Sequence, residues 1–238
     1  MTGTLINVAT ILVGGGLGLL MGGRFSERLR QTVMAGLGIF TLVIGLQMAL
    51  KTQNSLIVLA SLLIGALLGE WWQIENAIAN MGTWLERHFA HSEDSSAQAR
   101  FVRGFLTASL LFCVGPMAIL GSIQDGLTGD FSMLAIKAVL DGFAALAFAS
   151  SLGVGVLFSA LPILIYQGGI TLLAGRVQAV MSTTMMNEMS AVGGLILMAV
   201  ALSSLLEIKQ IRAGNFLPAL AAAPLIVAGL GWLGIAVK

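Results

Sequence analysis

Charge is scarce in this chain. Its 238 residues include 12 Lys and Arg and 11 Asp and Glu, together 10%, against about 25% in a soluble globular domain. So few charges cannot cover a water-exposed surface, and a formal net charge of +1 leaves no basic face for nucleic acid. A single cysteine, Cys113, excludes a disulfide framework and a thiolate metal site; it reads as a small buried residue. The two histidines, His88 and His91, both fall in one polar stretch, so the apolar runs offer no buried Ser–His pair. No phosphate loop, metal-histidine cluster or nucleotide fingerprint occurs. An enzyme is therefore not expected, nor a cofactor. The only acid–base candidates are the aspartates Asp130 and Asp141, and Lys137 lies between them. The start, Met1 to Asn7, has no basic n-region, so the first apolar stretch reads as a retained helix rather than a cleaved leader.

What the chain does have is apolar length. Hydrophobic residues make up 57% and glycines number 30, and the mean hydropathy is +0.95. About 20 apolar residues cross the hydrocarbon core as a helix, and in lipid the backbone must satisfy itself. Runs of that kind fall at 4–22, 32–50, 55–72, 104–122, 132–150, 153–173, 188–206 and 216–236. The expected fold is an all-α integral membrane protein of about eight transmembrane helices, seven being the alternative if the charged fifth run does not span. With the first loop in the cytoplasm, Arg24, Arg28, Arg30, Arg87, Arg100, Arg103, Lys209 and Arg212 are inside, while Lys51, Arg176 and Lys238 are outside, as the positive-inside rule prefers. Seven passes would exchange Lys209 and Arg212 for Arg176 and Lys238, so the rule does not decide the count. Trp71 and Trp72 fit one interfacial belt and Trp232 the opposite one.

The organisation reads as one membrane domain, 1–238, in four parts. Residues 3–72 form a first repeat unit. Residues 73–100 hold an amphipathic cytoplasmic helix, with Ile74, Ile78, Met81, Leu85 and Phe89 at helical spacing, then a solvated linker from His91. Residues 101–151 form a central helix pair, and 153–236 a second repeat unit. The repeat rests on Gly15-Gly16, Gly23-Arg24 and Ala35-Gly36-Leu37-Gly38, matched by Gly168-Gly169, Gly175-Arg176 and Ala191-Val192-Gly193-Gly194. Five helices before the second unit would make the repeats inverted, an arrangement frequent in secondary transporters.

Polar groups inside these runs are the candidate site. Lys137 and Asp141 lie four apart, on one helix face, where they can pair. Each is expensive at hydrocarbon depth, so both should face the bundle interior or water; the plainer alternative is an ion pair that locks helices together. Glu188 reads as the start of the seventh helix, either favoured there by the helix dipole or a cation or proton site. Pro116, which removes a helix donor, with Gly115, Gly121, Gly126 and Gly129, predicts a broken helix and a re-entrant turn near Asp125 and Asp130, against the alternative of a kink and a loop. Gln167, Asn7 and Asn215 complete the solute- or ion-binding candidates, Asn215 doubling as a helix cap. Lys137, Asp141, Glu188 and Asp125 are expected to converge, at least three of them, near the interface of the repeats. Gly14-x-x-x-Gly18 and Gly65-x-x-x-Gly69 predict close helix packing.

The run from Cys113 to Asp130, then Lys137, Leu140-Asp141-Gly142 and Ser151-Leu-Gly-Val-Gly155, resembles the bacterial membrane proteins of domain-of-unknown-function family 554, the YqgA-like proteins. Met186-Asn-Glu188, Ser190-Ala-Val-Gly-Gly194, Ile208-Lys209 and Gly214-Asn215-Phe-Leu-Pro218 share the resemblance. It implies a multi-pass protein of the bacterial inner membrane and carries over no catalytic or binding residue. The expectation is a transporter or channel for a small solute or ion, with the lipid bilayer and that solute as partners and homo-oligomers admitted. The alternative is a membrane scaffold or sensor acting through partners on 73–100.

Overall fold

The computed structural model describes residues 1–22, 26–90 and 94–233. Gly23 and Arg24, the linker residues His91, Ser92 and Glu93, the tail 234–236 of the last run and Lys238 lie outside the described residues. Among the described residues there is helix and no strand. Eleven α-helices follow in order: α1 Thr2–Gly22, α2 Glu27–Ala49, α3 Ser55–Trp72, α4 Ile74–Phe89, α5 Ser95–Cys113, α6 Pro116–Thr128, α7 Ser132–Leu152, α8 Ala160–Leu172, α9 Ala174–Val180, α10 Thr183–Val200 and α11 Pro218–Trp232. A 3-10 turn at Val154–Ser159 leads into α8, a π turn at Ala201–Leu205 ends α10, and a 3-10 turn at Ala213–Phe216 precedes α11.

Among the described residues, seven segments are long and apolar enough to cross a membrane, and the pair α5–α6, bent by 61°, makes an eighth if it is counted as one span. The charged run that looked doubtful, α7, is a regular helix of 21 residues. The break lies in the fourth run, between Cys113 and Pro116, where the proline predicted it. Beyond it the backbone is regular: Gly121 and Gly126 sit inside α6, Gly121 against Leu134 and Gly126 against the Thr171 carbonyl and Ala174. These glycines serve close packing, and only Gly129, at φ +74°, turns the chain toward α7. The seventh helix begins at Thr183, where the Ser182 hydroxyl accepts the Met185 N–H at 3.2 Å; Glu188 is thus in its second turn and not at its start.

The chain forms two compact units. Unit 1 takes residues 1–36, 78–113 and 117–177; unit 2 takes 37–77, 114–116 and 178–238. In unit 1, α1 and α7 run parallel in close contact. Gly14, Gly18 and Gly22, one turn apart, rest on the carbonyls of Gly142, Leu146 and Ser150, where any side chain would overlap backbone. Helix α8 runs antiparallel to α1, Thr4 facing Thr171 and Asn7 facing Gln167. The predicted amphipathic helix is α4; its Leu85 is buried with Phe101 and Phe105 of α5, while Trp84 and Phe89 stay exposed.

In unit 2, α3 and α11 run antiparallel, Gly65 against Ala219 and Gly69 against Asn215. The second part of α2 and α10 are antiparallel too, with Gly45 against Gly194 and Met198, and Gly38 against Leu205 and Leu206. These directions bear on the number of passes. If α2 and α3 each cross once, a parallel α1 and α7 require one more crossing between α3 and α7. Only the bent pair α5–α6 is there to supply it. Antiparallel α2 with α10, and α3 with α11, require the same eight passes.

Candidate functional site

A chain of buried polar groups in unit 1 lies between α1, α7 and α8. Asp141 stands about 14 Å along a helix of about 32 Å, counting 1.5 Å per residue, close to mid-span. Its Oδ2 is paired with Lys137 Nζ, one turn earlier on α7. Asn7 Nδ2 donates to the same Oδ2 at 3.0 Å and to Gln167 Oε1 at 3.0 Å. Gln167 Nε2 donates to Thr4 Oγ1 at 3.4 Å, and Thr4 Oγ1 lies 3.4 Å from Thr171 Oγ1. Asn7, Gln167 and Thr4 are fully buried, and Lys137 and Asp141 are 6% and 8% exposed. The chain of groups therefore runs Lys137, Asp141, Asn7, Gln167, Thr4, Thr171. At such depth polar groups are held only against one another or water.

One atom of the chain is left over. Asn7 Oδ1 is buried and accepts no hydrogen bond, and Asp141 accepts all of its hydrogen bonds on Oδ2. Cys113, at the end of α5, is close enough to feel the charges of Lys137 and Asp141.

Asp125 belongs to the same unit, one turn nearer the head of α1. Its Oδ2 accepts the Gly3 N–H at 3.1 Å and pairs with the Met1 amine at 3.0 Å. A carboxylate at a helix N-terminus satisfies an orphan donor and complements the dipole. Asp130 is exposed and shapes the α6–α7 turn, its Oδ1 accepting the Ser132 N–H at 3.0 Å. The Ser132 hydroxyl and amide hold its carboxyl below the usual range.

Two further clusters lie in unit 2. Glu188 is fully buried, and its carboxylate takes the Thr52 hydroxyl at 2.6 Å, the Gln53 N–H at 2.6 Å and the Asn54 N–H at 3.1 Å. It thus fixes the α2–α3 loop, whose Asn54 in turn caps α3 through the Leu56 N–H. Asn215 caps α4 rather than α11: its Oδ1 accepts the Glu75 N–H at 2.8 Å, and Glu75 returns the bond by accepting the Gly214 N–H at 2.9 Å. Asn215 Nδ2 also donates to Glu70 at 2.7 Å, and Arg212 reaches the other Glu70 oxygen at 2.5 Å. Glu70 and Glu75 were not foreseen as site residues; a carboxylate ending an apolar run before the polar Gln73 was the available signal.

Of the expected candidates, then, Lys137, Asp141, Asn7 and Gln167 come together, and Asp125 lies beside them at the head of α1. Glu188 and Asn215 belong to unit 2, each with its own partners. Among the described residues, no group of three or more His, Cys, Asp or Glu side chains is placed to hold a metal ion.

A nearly all-helical membrane protein with a charged, hydrogen-bonded chain at mid-helix is the class that fold and site define. Residues 2–228 match the family model described as protein of unknown function, DUF554, and the chain belongs to that family. It is 35% identical over 231 residues to the uncharacterized protein YqgA of Escherichia coli K12, covering 97% of this chain and 98% of the other. It is 29% identical to the uncharacterized membrane protein YdfK of Bacillus subtilis 168, covering 95% and 96%. No solved structure matches.

Proposed function

We propose that this chain moves a small solute or ion across the bacterial inner membrane and is not an enzyme. The observation that supports this reading is the charged pair Lys137–Asp141 at mid-helix, extended by amides and hydroxyls on two neighbouring helices, with Asn7 Oδ1 left unpartnered along the way. Two charges that only locked helices together would be replaceable by apolar packing at no loss of stability, and intramembrane ionisable groups are a mark of substrate or proton pathways.

The helix pairing adds to it. Each unit sets a helix of the first sequence repeat antiparallel to its counterpart in the second: α1 with α8, α2 with α10, α3 with α11. An inverted repeat produces such pairs, and in carriers built that way the site lies near the midplane.

Flux into sealed proteoliposomes tests the reading. A panel of organic acids, amino acids, sugars and inorganic ions is offered under a pH gradient and at voltage. At least one solute enters with wild-type protein and not with Asp141→Asn or Lys137→Met. Tight vesicles that pass none of the panel would sink the proposal.

A further inference from the structure

We propose that the site exchanges carboxylates: a small monocarboxylate anion takes the place of Asp141 on Lys137 while Asp141 takes up a proton, so that anion and proton bind together, one to one. This rests on the transport reading above and names its substrate class.

The hydrogen-bond chain has two consistent polarities. In the one described, Asn7 spends both N–H groups on Asp141 and Gln167, and its Oδ1 points to a place with no donor. That polarity suits Asp141 as a carboxylate, which accepts from both Lys137 and Asn7. Turning both amides over gives the other. An Asp141 hydroxyl then donates to Asn7 Oδ1, Gln167 Nε2 donates to the same oxygen, and Thr4 donates to Gln167 Oε1. Amide oxygen and nitrogen are nearly the same size, so the exchange keeps every heavy atom within the same spacing. It requires that Asp141 be protonated, since an amide oxygen cannot face a bare carboxylate.

Two consequences follow from the second polarity. The Asn7 amide nitrogen now points where its oxygen did, and its N–H groups need an acceptor. Lys137 has lost its counter-charge in a medium of low dielectric, where an isolated ammonium is costly. One incoming carboxylate answers both needs. The balance is Asp141–CO2⁻ paired with Lys137–NH3⁺, plus H⁺, plus R–CO2⁻, giving Asp141–CO2H, and Lys137–NH3⁺ paired with R–CO2⁻. No bond beyond O–H forms, and the site stays neutral before and after. An inorganic cation would instead have to displace Lys137 from Asp141 and leave a second positive charge unmatched.

Lys137 is the charge that faces Asp141. From α1 and α8 only Asn7, Thr4, Gln167 and Thr171 approach the chain, none of them titratable near neutral pH. Cys113 of α5 is within electrostatic reach and Tyr166 of α8 is within reach of Cys113. Asp125 is occupied at the head of α1.

Proton uptake in detergent solution tests this without any flux. Lactate, pyruvate and gluconate are titrated into lightly buffered protein while pH and heat are recorded. The wild type takes up one proton per anion bound, and its affinity falls about tenfold per pH unit upward over the range where free Asp141 is ionised. Asp141→Asn binds the anion with no proton uptake and a flat pH profile, and Lys137→Met does not bind. The wild-type slope stands by itself if a variant does not fold. Anion binding without proton uptake, no binding of any of the three, or proton release on adding sodium or potassium overturns the proposal. If vesicles carry some other solute while this titration is silent, the exchange fails and transport stands. A positive titration with no flux upholds the exchange and removes transport.

Discussion

Lys137 and Asp141 each cost about 2.5–3.5 kcal/mol at the centre of a membrane helix when alone, and pairing is what makes both tolerable. Removing one partner leaves the other buried and unmatched, so Lys137→Met should destabilise by about 3 kcal/mol. The double variant Lys137→Met/Asp141→Leu should lose less than the two single variants summed, since no bare charge remains. Denaturant unfolding in detergent measures the cycle, and additive losses would show the pair to be uncoupled. Glu75 gives a pH prediction of opposite origin. Burial raises its carboxyl above the usual range, the Gly214 N–H and Arg212 pull it part way back, and Glu70 pushes it up. The folded state therefore holds that proton more readily than the unfolded chain. Its contribution is fully present below the unfolded value and is lost as pH rises through the raised one. Glu75→Gln should flatten that part of the profile in thermal melts recorded against pH; an unchanged slope would mean the carboxyl is not strained by burial.

At the scale of helices, the contact of α1 with α7 is made by missing side chains. A leucine at Gly18 would overlap the Leu146 carbonyl, so Gly18→Leu must push the helices apart and take Asn7 away from Asp141. Gly16, on the same helix, has nothing within reach of an added methyl. Gly16→Ala should therefore gain up to about 1 kcal/mol of helix stability. Melting temperatures of the two variants check this, and equal losses would remove the glycine contact from the account. The glycine spacing on α1 was legible in the sequence because glycines at i and i+4 share a face. Its partner was not, because α7 contributes backbone carbonyls, which leave no residue signature. The pair Lys137–Asp141 was legible for the same reason of local spacing. Its extension through Asn7 to Gln167 joins residues 160 apart in sequence, and no periodicity reports that. The doubt over helix count fell on the wrong element: charges lowered the apparent hydropathy of α7, whereas pairing offsets their cost, and the proline at 116 broke its neighbour.

For the whole molecule, helix directions make a claim that can be read from outside. The four relations α1 with α7, α1 with α8, α2 with α10 and α3 with α11 agree with eight passes, and each would be reversed with seven. In a Cys113→Ser background, single cysteines at Lys51, Ser96, Gln178 and Lys209 sample four connections: α2–α3, the start of α5, α9, and the segment before α11. Under eight passes a membrane-impermeant maleimide applied to intact cells should label Lys51→Cys and Gln178→Cys. Ser96→Cys and Lys209→Cys should react only after the membrane is opened. Under seven passes Gln178 and Lys209 trade sides while Lys51 and Ser96 do not. The comparison isolates the one bent crossing, α5–α6, from the rest of the topology. A traded pair would make the bent segment a re-entrant hairpin. It would also set α1 and α7 in opposite directions, which the three successive glycine contacts along α1 do not allow. The labelling pattern and the glycine contacts must therefore stand or fall together.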